Sequence, residues 1–287
     1  MDRIGLVIPT LRAGASFEQL LCQLDRQGCK LARKLVVDSS SEDGTVELAA
    51  KHGFETRVIP RKSFNHGLTR QQAIDWLADD VDIVVFLTQD VLMPESDALS
   101  ALVAPFADED VGAVCGRQLP HVGASLGTRL QREFSYGSSD RRIVFEDRKT
   151  LGIRAAFLSD AFSAYRVKAV REVGGFPKLN VSEDMYMGAK LLMNGWALYY
   201  AAGARVHHSH EYGIRSAYRR YSEIGRFQSS EKWILDTFGK SEGAGLELLK
   251  KQMQAAWERK APLAAAGFIM DDAVKYLAFR MGRGKKR

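Results

Sequence analysis

The chain has 287 residues, 46% of them apolar and 26% charged, an ordinary composition for a soluble globular protein and enough for one large α/β domain or two closely joined halves. No apolar run approaches the roughly 20 residues that span a bilayer, and Asp2 and Arg3 before a short strand-like run make no secretory leader, so the chain is expected in the cytosol. Its formal charge of +6 gathers toward the C-terminal end, and its three cysteines, Cys22, Cys29 and Cys115, form no CxxC pair, which argues against a disulfide framework or a zinc site.

The first predicted strand covers residues 4–8. Ser16 is expected to open a helix, with Gln19 completing a capping box and Phe17, Leu20, Leu21 and Leu24 making its apolar face. A strand at 35–37 follows, then the loop from Asp38 to Gly44 and a helix from Thr45 to about His52, stopped by Gly53. Residues 56–59 form the next strand, 67–78 a helix, and 82–87 a fourth strand. This βαβα order predicts a mainly parallel sheet with helices on both faces. After a strand at 111–115, residues 117–152 are polar and rich in Arg and Gly, and are expected to wrap the site rather than extend the sheet. A helix at 185–194, strands at 197–200 and 204–207, and a helical pattern from Ile214 onward complete the chain. The expected division is a domain of residues 1–213 and a helical C-terminal extension of residues 214–287.

That extension ends in a segment carrying Lys275, Arg280, Arg283, Lys285, Lys286 and Arg287 together with Phe268, Ile269, Met270, Val274, Tyr276, Leu277, Phe279 and Met281. Two readings fit equally: a basic amphipathic segment lying on an anionic membrane surface, or a solvated tail after a helix packed on the domain. Nucleic-acid binding ranks below both, because no aromatic-basic module precedes it.

The most informative run is Thr88-Gln89-Asp90, which sits where the apolar strand ending at Leu87 stops. In an open α/β sheet the carboxyl edge of the strands binds ligands, so Asp90 is placed to meet a metal or a phosphate. Three other segments can reach that edge: Asp38 with its Ser-rich loop, Ser182-Glu183-Asp184, and His207-His208-Ser209-His210. A diphosphate leaving group needs a divalent cation, while a separate carboxylate deprotonates the attacking group. If the histidines continue a strand, His208 and His210 share one face and His207 lies on the other.

The ordered set Val37-Asp38-Ser39-Ser40-Ser41, Phe64-Asn65-His66-Gly67, Thr88-Gln89-Asp90, Gly116-Arg117-Gln118-Leu119-Pro120, Gly174-Gly175-Phe176-Pro177, Ser182-Glu183-Asp184 and His208-Ser209-His210 resembles the inverting family-two glycosyltransferases. The branch it resembles most is the rhamnosyltransferases, and the likeness covers residues 4–230. It implies the GT-A fold: a Rossmann-like nucleotide-binding half with a mainly parallel sheet, joined to an acceptor-binding half. By the same resemblance Asp184 is the general base, Asp90 with His208 and His210 holds Mg2+ or Mn2+, and Asp38 meets the pyrimidine of the donor. Pro9, Ser40, Asn65, His66, Gly67, Arg70, Gln89, Asp90, Arg117 and Gln118 then line the donor site. Thr88 departs from the family, whose commoner residue there is the first acid of an Asp-X-Asp motif.

Several of these residues also have plainer readings. Asp38 can make an Asx bond into its loop, Asn65 can cap a helix, Ser182 or Asp184 can cap another, and Arg117 can pair with a nearby acid. A carboxylate of ordinary pKa near 4 is a weak base for a sugar hydroxyl, so proton transfer would complete only as the glycosidic bond forms. The expected function is transfer of L-rhamnose from dTDP-rhamnose to a hydroxyl of a bacterial cell-surface glycan, such as an O-antigen on a polyprenyl-linked acceptor, at the inner face of the cytoplasmic membrane. With one base and no evident nucleophile, the transfer inverts. The alternatives are another donor such as a UDP-hexose, or a silent sugar-nucleotide-binding module. A sugar-nucleotide pyrophosphorylase ranks lower, because residues 8–14 lack a Gly-rich loop.

Overall fold

The computed structural model describes residues 2–239 and 243–284. In chain order the elements are β1 (Ile4–Thr10), α1 (Ala15–Leu24), β2 (Arg33–Asp38), α2 (Thr45–Lys51), β3 (Glu55–Val58), α3 (His66–Leu77), β4 (Ile83–Leu87), α4 (Ala98–Val103) and β5 (Val111–Leu119). Then come α5 (Leu126–Ser135), β6 (Arg141–Ile143), α6 (Arg148–Leu151), β7 (Phe162–Arg166), α7 (Val167–Glu172), α8 (Glu183–Met193) and β8 (Ala197–His207). Four helices close the chain: α9 (Ile214–Ser230), α10 (Lys232–Phe238), α11 (Ala244–Glu258) and α12 (Pro262–Gly284).

These elements form two compact units. The first comprises Met1–Gln118, Ser138–Asp147 and Ala156–His208, and contains an eight-stranded sheet of order β3-β2-β1-β4-β7-β5-β8-β6. Its β3-β2-β1-β4 half is parallel throughout, as the βαβα pattern requires, whereas β7 joins β4 and β5 antiparallel and β6 joins β8 antiparallel. All five residues of β4 are buried, as are Leu6, Val7 and Ile8 of β1 and Leu35, Val36 and Val37 of β2. An unbroken apolar run of this kind marks a strand covered on both faces. The second unit, Leu119–Gly137, Arg148–Ala155 and Ser209–Arg287, is helical and gathers the segment expected from residue 214 with two earlier stretches. Among the described residues no helix is long and apolar enough to cross a membrane.

The structure corrects several local expectations. The capping box of Ser16 and Gln19 does not form: α1 starts one residue earlier, at Ala15, with Gly14 as N-cap and no side-chain cap, although Phe17, Leu20, Leu21 and Leu24 are buried as expected. The two short strands at 197–200 and 204–207 are one strand of eleven residues, β8; Gly203 between them is accommodated because a glycine needs no side-chain partner on an open face. Residues 117–152 do not simply wrap the sheet either, since β5 runs on through Arg117 and Gln118 and β6 adds an edge strand.

Candidate active site

Because β1, β2 and β4 are parallel, Thr10, Asp38 and the segment after Leu87 emerge at the same edge. Thr10 and Asp38 are register partners, and the Thr10 hydroxyl donates to Asp38 Oδ2 at 2.7 Å. Ser41 adds its hydroxyl to the same oxygen at 2.8 Å and its N–H to Oδ1 at 2.7 Å. Asp38 therefore makes the Asx bond into its loop, fully buried. A carboxylate has about four acceptor positions, and these bonds occupy three of them. Ser40 sits in the left-handed region at φ 60° and donates to Ile59 O at 2.8 Å. Gln89 grips Leu11 at both ends, accepting from its N–H at 2.8 Å and donating to its carbonyl at 3.1 Å, which ties the loop after β4 to the end of β1, two residues beyond half-buried Pro9.

The segment after Asp90 meets the end of β8 through a pair of backbone bonds between Leu92 and His207, at 2.9 and 2.8 Å. This pairing carries His208 to Asp90, with imidazole Nε2 3.5 Å from Asp90 Oδ1. Two neighbouring octahedral ligands with bonds of about 2.1 Å stand about 3 Å apart, so one carboxylate oxygen and one imidazole nitrogen at this separation fit a divalent cation. His208 is buried, and its Nδ1 lies 2.8 Å from Gln118 Oε1, while the Gln118 amide donates to Ser159 Oγ at 2.7 Å. With its NH2 group turned to Ser159, Gln118 offers an acceptor to the ring. Nδ1 can donate to that acceptor, which leaves Nε2 as the ring atom on the side of Asp90. In the second unit, the N–H of His121 donates to Ser209 Oγ at 3.0 Å, fixing the start of the segment that bears exposed His210. His210 follows His208 by two residues, a span of at most about 7 Å.

The third cluster surrounds Asp184, in the first turn of α8. Ser182 precedes it with φ 61° and makes no side-chain cap, so the capping reading for Ser182 is not realised. Asp184 Oδ1 accepts the Met185 N–H at 2.7 Å. Arg70, buried in α3, donates from Nη1 to Glu183 Oε1 at 2.7 Å, faces Asp160 Oδ2 from Nε at 3.0 Å, and lies over the Phe86 ring. Asp160 also accepts the Ser163 hydroxyl at 2.7 Å and the Tyr165 hydroxyl. Burial opposes the guanidinium charge, but Asp160, Glu183 and Asp184 outweigh it and hold Arg70 above its ordinary value.

Three carboxylates thus share one cation. Burial first, then the charges of Glu183 and Asp160, push Asp184 up to about 8, against the Met185 N–H and Arg70, which pull it down. The ordinary pKa near 4 expected from the sequence is corrected by this setting: Asp184 is a far stronger base than an exposed aspartate.

The motif residues 64–67 build the support for this cluster. Asn65 caps α3 by accepting the Leu68 N–H at 3.0 Å and donates to Asn180 Oδ1. Gly67 donates to Leu179 O at 3.0 Å, and a Cβ there would stand 1.9 Å from Pro177 O. Only a glycine permits that approach. Gln71 completes the clamp by accepting the Phe176 N–H at 2.8 Å. His66 is exposed and stacks edge-on against Phe64.

Arg70 and Gln118, both expected at the donor, are thus buried in contact with other side chains, whereas Arg117 is half-buried in β5. Asp160, Ser159 and Thr10 escaped sequence reasoning. The available signal was the polar pair Ser159-Asp160 just ahead of the buried strand β7.

Residues 6–174 match the profile of Glycosyl transferase family 2. The chain is 36% identical over 283 residues to the O-antigen chain rhamnosyltransferase RfbN of Salmonella typhimurium, covering 98% of this chain and 90% of that protein. Over 285 residues it is 35% identical to the O-antigen chain rhamnosyltransferase WbaN of Salmonella anatum, with 99% and 90% covered. Among solved structures it resembles a mannosyltransferase from Pyrobaculum calidifontis in complex with GDP-Man and Mn2+, at TM-score 0.64 and 17% identity over 98% of this chain and 87% of that one. It also resembles S. aureus TarS 1-349 in complex with UDP-GlcNAc, at TM-score 0.58 and 15% identity over 98% and 90%. These likenesses give the GT-A fold.

Proposed function

The chain belongs to glycosyl transferase family 2, and we propose that it is an inverting rhamnosyltransferase that uses dTDP-rhamnose and a divalent cation, Mg2+ or Mn2+, to extend an O-antigen chain on a lipid-linked acceptor. The observation that carries the chemistry is the placement of Asp184 in the first turn of α8, accepting the Met185 N–H at 2.7 Å, in a cluster with Asp160 and Glu183 whose charges and burial raise its basicity. The likeness to two O-antigen rhamnosyltransferases over nearly the whole chain supports the sugar and the acceptor.

Asp184 accepts the proton of the acceptor hydroxyl as its oxygen attacks the anomeric carbon from the face opposite the departing diphosphate. Arg70 and Asp160 hold the first turn of α8 in place for that transfer. Asp38 offers its remaining acceptor position to the pyrimidine N3–H. Asp90 and His208, with His210 two residues on, would hold the cation, which would supply positive charge to the leaving diphosphate. An imidazole ligand favours tolerance of manganese as well as magnesium.

Two expected results test this reading. In titration calorimetry of donor binding with Mn2+, Asp90→Ala weakens affinity sharply, His208→Ala less, and His207→Ala little. Gln118→Leu weakens cation affinity about 10- to 100-fold without touching the ion, because it releases the tautomer of His208. The ligand assignment is lost if His207 proves more important than His208. For the donor, dTDP-rhamnose binds more tightly than UDP-glucose or GDP-mannose, since one missing contact costs about 1–3 kcal/mol, roughly 5- to 150-fold. Thr88, in place of an acid that would meet a ribose hydroxyl, suits a deoxyribose nucleotide. Equal or tighter binding of UDP-hexoses leaves the family standing and removes rhamnose.

A further inference from the structure

The helix α12 has two faces of opposite fate. One is fastened to α9 at backbone distance: a Cβ on Gly225 would stand 2.2 Å from Phe279 O, and one on Gly282 would stand 2.1 Å from Ser222 O. Ala278 is wholly buried in this contact, Ser229 Oγ donates to Arg283 O at 3.0 Å, and Lys275 lies over the Tyr221 ring. This face of α12 is thus packed on α9, within the C-terminal extension itself. Of the basic residues singled out there, Lys285, Lys286 and Arg287 lie outside the described residues.

The other face is a stripe. Exposed positions recur every three or four residues from 262 to 284, the period of one side of a helix about 35 Å long. Its large side chains are Leu263, Ile269, Met270, Tyr276, Leu277 and Met281, exposed from 51% at Ile269 and Met281 to 88% at Leu263. Among the described residues of the stripe Arg280 is the one charge. Asp271 and Asp272 are half-buried beside it, and Asp271 is paired with Lys275. In the last turn of α11, Trp257 is 85% exposed, and exposed Glu258, Arg259 and Lys260 follow it before α12 begins. A soluble surface rarely leaves so long an apolar row uncovered without a partner.

We propose that this stripe lies on an anionic lipid surface, with the six apolar side chains in the interfacial layer and Trp257 and Tyr276 at headgroup level. The charge pattern favours lipid over a second copy of the chain. Arg259, Lys260 and Arg280 outnumber exposed Glu258 and give the stripe a net cationic rim that complements anionic headgroups, while two copies packed stripe to stripe would set like charges together. Aromatic residues with one polar edge are the side chains that settle at a membrane–water interface. Because α12 also shields α9, removing it would damage the helical unit, so point substitutions on the exposed face are the cleaner probe. The inference is independent of the donor and cation readings.

The full chain is sedimented with vesicles of phosphatidylcholine alone and with phosphatidylglycerol added. Wild type co-sediments with the anionic vesicles and is released by high salt. Ile269→Ser and Leu277→Ser each lower the partition coefficient about 10-fold or more, and Arg280→Glu lowers it while abolishing part of the salt response. Thermal midpoint and donor hydrolysis stay at wild-type values in all three, which separates surface loss from misfolding or loss of the site. The proposal is overturned if wild type ignores anionic vesicles, or if the substitutions leave vesicle binding intact. It is equally overturned if light scattering shows a wild-type dimer that Leu277→Ser converts to monomer without any change in lipid binding, since the occupant is then a second copy.

Discussion

Asp184→Asn is expected to lower the turnover number for sugar transfer by on the order of 100-fold or more, with donor affinity nearly unchanged, because the amide keeps the shape of the carboxylate and removes its basicity. Wild-type kcat/KM should climb with pH and level off above about 8, since the free enzyme must hold Asp184 ionised and burial with Glu183 and Asp160 raises it to about 8. The same shift has a stability consequence of opposite benefit. The folded state binds a proton at Asp184 more tightly than the unfolded chain does, so this group costs stability as pH rises from the ordinary carboxylate range to about 8. Asp184→Asn cannot ionise and escapes that cost. At pH 8 the variant should therefore be inactive and yet melt no lower than wild type. A variant with wild-type turnover, or a wild-type profile flat between pH 6 and 9, would remove Asp184 from the base role.

The sequence carried the parallel half of the sheet and the residues that sit at its edge, because both depend on local signals. Buried strands such as residues 83–87 are unbroken apolar runs, and a carboxylate three residues past the end of one, Asp90, falls at the carboxyl edge of the sheet. The segment joining β5 to β7 was not legible in the same way. Its edge strand Arg141–Ile143 is three residues of which two are exposed, and pairing with β8 across the sheet, rather than any pattern of its own, makes it a strand.

The site divided along the same line. Motif order singles out Asp184 and His208 as candidates, but the groups that set their surroundings come from elsewhere in the chain: Asp160 and Arg70 for the aspartate, Gln118 and Ser159 for the histidine. Such long-range polar contacts leave no periodicity. The basicity of Asp184 was misjudged for this reason, since a pKa is a property of the surroundings and the sequence lists only the group.

Arg70 brings the strongest conflict between the two readings to an experiment. As a donor contact it would be replaceable at the expense of KM alone. As found, its guanidinium is buried between Asp160 and Glu183, at 3.0 and 2.7 Å, and its removal leaves both acids without their cation. Breaking a buried pair by deleting one partner costs about 3–5 kcal/mol, because the remaining charge is left uncompensated. Arg70→Met, which keeps the length and apolar stem of the side chain, should therefore unfold at much lower urea concentration than wild type. The deficit should be largest at pH 8 and shrink toward pH 5: Arg70 pulls Asp184 down, so without it Asp184 takes up its proton at higher pH, which relieves the repulsion in the cluster as pH falls. Asp160→Asn in the Arg70→Met background should recover part of the stability by removing one of the stranded charges, a coupling that a double-mutant cycle reads directly. If Arg70→Met is instead as stable as wild type at pH 8 and only its donor KM rises, the arginine belongs to the sugar nucleotide, and α8 must be held by something other than this ion pair.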